Sequence, residues 1–315
     1  MNSVARSIQD PEAHSSVWKR LRAHEISDAK SADDRKDIRD RVDLRIRALG
    51  SGSDYTPFLQ HLGIASLNLG YGGEDDGGIY HSIYDTFRWY TTFSDTAFVY
   101  GQALARTVGL ATMRLAGAEV LPFEFNRLSE RVGANLKEVQ DLQRTTRDSI
   151  EEQNRQVDES TFVAMNDPRH PLVPPTVQAV PPFLNFAPLQ NGATRLKSAT
   201  ARFETAYTAA FACDGPAWDA AALDSLNGLL LAAERAMAPA DGLPRRPWYR
   251  QLIAAPGLYT GYAPKTMPGV WEAIEGSRWD EAEAEAGVLG RALSAEGELL
   301  DRASDLLEQA GAKGR

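Results

Sequence analysis

The stretch "GGIYHSIYDTF", residues 77–87, sets His81 beside Tyr80 among glycines and small polar residues. An imidazole can ligate a metal or carry a proton near neutral pH. Metal ligation needs company, because a protein zinc site takes three or four ligands. The sequence shows no partners for His81 at ligand spacing, and one imidazole cannot hold zinc alone. The single cysteine, Cys213, excludes a cysteine-based zinc site and an intrachain disulfide. On spacing alone His81 reads as a loop histidine bonded to backbone or water, and Tyr80 as an aromatic packed at a loop edge.

A chain of 315 residues can bury one large core or two ordinary ones. Its apolar fraction of 43% and charged fraction of 24% are those of a soluble globular protein. A net charge of −9 argues against a nucleic-acid binder, which shows a basic face. No apolar run reaches the ~18 residues of a membrane span. The first 16 residues lack the apolar core of a signal peptide, which bears on compartment only if Met1 is the true start.

Residues 9–42 mix both charge signs evenly, as a solvated loop or short helix does. "DLRIRALGSGSD" reads as a short strand entering a glycine-rich turn, with Ser53 or Asp54 set to cap the helix "DYTPFLQHL". "GIASLNLGYGG" reads as a second strand. A parallel sheet needs more strands, covered on both faces, so residues 1–90 are predicted to be an incomplete piece of an α/β domain. From about Thr92 the apolar spacing turns helical, with Ser94 or Asp95 as the first cap. "PFEFNRLSERVGANLKEVQDLQRTTRDSIEEQ" is a long amphipathic helix, the proline-rich residues 165–188 an irregular crossover, and three further helical stretches follow. The fold class is therefore α+β, with an all-α helical bundle over residues 91–315. Phe87, Trp89, Tyr90 and Phe93 are predicted to be core. In "GLPRRPWYR", Trp248 and Tyr249 are expected to pack between helices. Arg246 and Arg250 there either bridge to the first segment or face solvent.

Four stretches, "LGSGSDYTPFLQHLGIAS", "YHSIYDTF", "ERAMAPADGLPRRPWYRQLIAAP" and "GYAPKTMPGVWEAI", occur in an order and spacing that resemble the C-terminal part of glutamate carboxypeptidase II and its homologues, the transferrin receptor among them. The resemblance covers nearly the whole chain. It implies the end of an α/β zinc-peptidase domain followed by a transferrin-receptor-like helical dimerisation domain, and hence a homodimer. "MNSVARSIQDP" is similar to the helix after the family's last metal-binding carboxylate, so Met1 is expected to be an internal methionine of a longer ancestor.

The family's chemistry uses two zinc ions about 3.5–4 Å apart, bridged by a carboxylate and a hydroxide. By resemblance His81 is the last of the zinc ligands, with the others and the general base before Met1. Tyr80 is implied to donate its hydroxyl to the oxyanion of the tetrahedral intermediate. Gly52 and Ser53 would line the substrate cleft, and Tyr262 would meet a substrate α-carboxylate. Four positions depart from the glutamate-specific pattern: Ser53 replaces an asparagine, Asn68 and Gly70 replace two arginines, and Gly261 replaces a lysine. Losing those cations removes charge-assisted contacts to acidic groups, which implies a less acidic peptide substrate.

Three readings follow. The chain is part of a zinc exopeptidase and inactive alone, with zinc not stably bound by these residues. Alternatively it is a non-catalytic dimerisation or binding module of the transferrin receptor type. In the third, it is a free-standing helical scaffold with a docking arm, a reading burdened by uncovered strand edges. The first is preferred, because "YHSIYDTF" is intact. The sequence leaves substrate specificity and compartment open.

Overall fold

The structure, a computed structural model, describes residues 1–73, 79–211 and 218–313. Cys213 and the two glycines that open the 77–87 stretch lie outside these residues. The chain forms two compact units, each assembled from two stretches: Met1–Arg47 with Leu67–Pro122, and Ala48–Ser66 with Phe123–Arg315.

In the first unit the charged N-terminal region is helical: α1 (Asn2–Ser7), α2 (Val17–Asp28) and α3 (Ala32–Asp40). Serine caps start two of them. Ser16 accepts from the Lys19 amide and Ser31 from the Asp34 amide, with Asp33 and Asp34 favourably placed in the first turn of α3. The side chain of Asn2 grips the backbone of Leu44 from both ends. Its Nδ2 donates to the carbonyl at 3.0 Å, and its Oδ1 accepts from the amide at 3.0 Å and from Trp18 Nε1 at 2.8 Å.

The two strands expected near residues 43–50 and 63–73 do not form: neither segment joins a strand ladder. A strand exists only through its ladder, and in the first of these segments the Leu44 backbone meets the Asn2 side chain instead.

The unit continues with α4 (Phe87–Phe93) and α5 (Val99–Ala116). The N-cap of α5 is Phe98 rather than Ser94 or Asp95, and its side chain makes no cap bond. Asp95, three residues earlier, accepts from the Val99 and Gly101 amides at 2.8 Å each and from the Tyr90 hydroxyl at 3.2 Å. Burial pushes its carboxyl up, but the hydrogen bonds from Gly101, Tyr100, Tyr90 and Val99 outweigh that and hold it below the usual carboxylate range. The expected aromatic core is corrected: α4 buries none of its residues, and Phe87 and Phe93 are 75% and 72% exposed. Two helical turns alone offer too little surface to enclose four aromatic rings. Small residues do the packing instead, with Ala111 of α5 set against Val4 and Ile8.

The second unit is the helical bundle: α6 (Phe125–Asp158), α7 (Thr161–Ala164), α8 (Ala187–Ala210), α9 (Ala220–Ala236), α10 (Pro268–Glu275) and α11 (Trp279–Lys313). Helix α11 packs along α8 and α9, and α6 along α8. Leucines repeat at helical spacing on the inner faces: Leu189 and Leu196, Leu226 and Leu230, and Leu289, Leu293, Leu300 and Leu307, all buried. Each such side chain contributes about 1.5–3 kcal/mol. Helices α8 and α11 touch backbone to backbone, since a Cβ on Gly192 would lie 2.3 Å from the Gly290 carbonyl oxygen.

The proline-rich crossover is irregular, as expected, and lies along α6. Gln143 donates to the Pro182 carbonyl at 2.8 Å, and Asn154 pairs with both backbone groups of Gln178 at 2.8 and 2.9 Å. Side chains thus satisfy backbone groups that a proline segment cannot pair in a ladder. A short antiparallel hairpin, β1 (Ala254–Pro256) with β2 (Pro264–Thr266), completes the unit and aligns Ala255 with Lys265. The architecture is mostly helical α+β. Among the described residues, no helix is long and apolar enough to cross a membrane.

Candidate functional site

The candidate residues divide between the two units. Tyr80 and His81 belong to the first. They follow one another in a tight turn, where the Ser82 amide bonds the Ile79 carbonyl at 2.9 Å. His81 adopts φ +63°, a left-handed conformation that a residue with a Cβ takes only at some cost. The turn stacks the two rings at 3.8 Å between centroids and leaves Tyr80 69% exposed. Both side chains are therefore presented to the outside of their unit.

Gly52, Ser53 and Tyr262 belong to the second unit, where two of them meet. Gly52 has φ +97°, and a Cβ there would lie 2.6 Å from Cδ1 of Tyr262. Only glycine allows this backbone shape and this closeness together. One residue earlier, the Ser51 amide donates to the Tyr262 carbonyl at 3.1 Å. Tyr262, 63% exposed, is thereby fixed by its backbone and one ring face while the rest of its ring stays open. Ser53 enters through its carbonyl, which accepts from the Thr56 amide at 3.0 Å and hydroxyl at 2.7 Å. The side-chain cap expected from Ser53 or Asp54 is not made, because the helical turn that follows is a π-turn, Pro57–His61, with no side-chain cap.

The π-turn has a purpose that sequence reading missed. It buries Gln60, whose Nε2 lies 3.3, 3.2 and 3.1 Å from the carbonyls of Leu49, Gly50 and Ala254. The Gln60 carbonyl accepts from the Arg250 amide at 2.6 Å. One amide side chain thus joins the loop carrying Gly52 to the hairpin that leads to Tyr262. Its sequence signal was a polar residue inside "FLQHL". Its neighbour His61 stacks on Trp248 at 5.0 Å and bonds its carbonyl at 2.8 Å through Nδ1.

The hairpin loop is held from behind. Thr260 Oγ1 accepts from the Gly257 amide at 2.9 Å and donates to the Ala263 carbonyl at 3.0 Å. Glu272 of α10 accepts from the Leu258 amide at 2.8 Å and from both Nη groups of Arg246 at 2.6 and 3.0 Å. Arg246 therefore does neither of the two things expected of it: it ties the "GLPRRPWYR" turn to α10 inside one unit.

Zinc can be tested against these residues. Among the described residues no three His, Cys, Asp or Glu side chains gather as a metal site requires. His81 is set against a tyrosine ring rather than a second ligand. The described residues do not by themselves fit a zinc ion.

The profile of the transferrin receptor-like dimerisation domain matches residues 184–301, from just before α8 into α11. The chain is 30% identical over 239 residues to a probable glutamate carboxypeptidase, LAMP1, of Arabidopsis thaliana, covering 76% of this chain and 28% of that protein. The chain carries a transferrin receptor-like dimerisation domain and is similar to glutamate carboxypeptidase-like proteins of the transferrin receptor superfamily. A probable glutamate carboxypeptidase of Arthroderma benhamiae is 29% identical over 237 residues, 73% of this chain and 27% of the relative. The aminopeptidase NAALADL1 of Mus musculus is 35% identical over 112 residues, 34% of this chain and 15% of the relative. The chain thus spans between a quarter and a third of the first two relatives. The matched segment contains the Gly192–Gly290 contact and the buried leucines named above apart from Leu307.

Proposed function

We propose that this chain serves a zinc-dependent exopeptidase of the glutamate carboxypeptidase II kind as its C-terminal part. Residues 1–90 would close the peptidase domain and residues 91–315 would form the dimerisation domain, giving a homodimer. His81 would be one zinc ligand among several, the rest coming from outside these residues, and Tyr80 would offer its hydroxyl to the oxyanion. Gly52, Ser53 and Tyr262 would form part of the cleft for a peptide substrate.

The observation that carries this reading is the seating of Gly52 on the Tyr262 ring. Two stretches far apart in sequence, each picked out by resemblance to a substrate cleft, meet where only glycine fits. The exposed Tyr80–His81 pair supports it, since residues kept for packing would be covered. Without cations at Asn68, Gly70 and Gly261, the substrate would be a peptide less acidic than one ending in glutamate.

The 315-residue chain alone would hydrolyse no peptide. The test has two parts. Mass and N-terminal sequence of the native product establish its extent, and hydrolysis of a panel of dipeptides is measured on that product with zinc. Zinc-dependent turnover that Tyr80→Phe slows at least about a hundredfold fits the loss of one oxyanion donor. Turnover unaffected by Tyr80→Phe and His81→Ala would overturn the site. A native dimer with no turnover would favour the non-catalytic binding module instead.

A further inference from the structure

Glu296 sits on the inner face of α11, between Leu293 and Leu300, and is 0% exposed. Neither of its carboxylate oxygens has a hydrogen-bond partner. It is a carboxyl group enclosed by the helices that form the matched dimerisation domain, and no role proposed for the chain uses it.

We propose that Glu296 makes the stability of the bundle fall as pH rises through the neutral range: the α8–α9–α11 core closes around a neutral carboxylic acid, so folding must hold a proton that the unfolded chain gives up. A buried carboxylate is tolerated only when cations or donors compensate it. The charges on the elements packed against α11 do not. From α9, Glu234 adds a like charge. From α8, Arg195 runs beside Gly297, the next residue along, but its guanidinium is bound to Asp301. On α10, Glu272 is paired with Arg246 and Glu275 with Lys265. The close Gly192–Gly290 contact leaves little slack between α8 and α11 for the group to swing out.

Burial first, and Glu234 second, push the Glu296 carboxyl up to about 8 from an ordinary value of 4.5. The sign follows. Between those two values the folded chain holds a proton that the unfolded chain has released, so stability falls as pH rises from 4.5 to about 8, then levels. Below 4.5 both states are protonated and the group costs nothing through its charge.

The experiment compares the 315-residue chain with Glu296→Gln in urea unfolding between pH 5 and 9. Gln keeps the shape and cannot ionise. The ratio of the two unfolding constants is expected to grow about tenfold per pH unit toward roughly a thousandfold near pH 8, then flatten. A ratio that does not change with pH would overturn the proposal. Should Glu296→Gln fail to fold, the ¹³C carboxyl titration of Glu296 in the unmodified chain decides. A midpoint above 7 sustains the proposal, and one between 4 and 5 overturns it.

Discussion

Glu272→Gln is the sharpest test of how the hairpin loop is held. The Glu272 and Arg246 side chains are 8% and 10% exposed, so their attraction is little screened. Gln can still accept from the Leu258 amide, so the substitution isolates the loss of charge. Arg246 cannot shed its proton and would be left buried without its counter-ion. The nearby carboxylate Glu281 already serves Arg245 and Arg278. Breaking a buried pair from one side costs about 3–5 kcal/mol, and because Gln keeps one neutral contact to Arg246 we expect about 3. That is a large part of a typical stability of about 5–15 kcal/mol. With a urea slope of about 2 kcal/mol per molar, the midpoint should fall by roughly 1.5 M. The control is the double substitution Glu272→Leu with Arg246→Leu, which removes both charges and should cost less than the single change. It leaves the Leu258 amide without its acceptor, about 1 kcal/mol. A midpoint shift under about 0.5 M for Glu272→Gln, or a double variant weaker than the single, would refute the reasoning.

Other outcomes follow from the same geometry. Gly192→Ala should destabilise by about 1–3 kcal/mol by forcing α8 from α11; Gly133→Ala, whose Cβ meets nothing within 4 Å, should stabilise by up to about 1 kcal/mol through helix propensity. Thermal unfolding of the two variants reads the opposite signs. Gln60→Leu strips a shared donor from three carbonyls and should cost about 2–3 kcal/mol, with faster amide exchange around Gly50–Gly52. The stability that Asp95 lends is present above its ordinary value of 3.8 and lost as pH falls through its lower folded value. Asp95→Asn should therefore flatten the acid side of the unfolding curve and speed exchange at the Val99 and Gly101 amides.

What was legible in the sequence was periodic. The long helices α6, α8, α9 and α11 show a 3.6-residue apolar stripe that packing preserves, and prolines announced the crossover. What stayed hidden depends on partners distant in sequence. Residues 43–50 carry strand-like apolar residues, yet strand or loop is decided by what lies alongside, and here the Asn2 amide lies there. The hairpin 254–266 has three residues a side, below the length at which alternation can be read. Gly52 and Tyr262 could each be singled out from their motifs, but not their contact, which rests on a positive φ. Gln60, beside His61 in "FLQHL", and Glu296, among polar and small residues in "SAEGE", both read as solvent-facing, and only burial reveals otherwise.

The partners that Gln60 Nε2 uses set a demand during synthesis. Its partner Ala254 lies 194 residues further along the chain. At about 5–20 residues per second, translation delivers that partner roughly 10–40 s after Gln60 is made. Through that interval the glycine-rich loop has no hairpin to sit on, and a side chain destined for full burial can reach the Leu49 and Gly50 carbonyls made before it but not that of Ala254. The loop that bears Gly52 is among the first parts of the second unit to be made and can be among the last to take its shape. A ribosome stalled before the hairpin would therefore hold a chain whose N-terminal helices can form while its candidate cleft cannot.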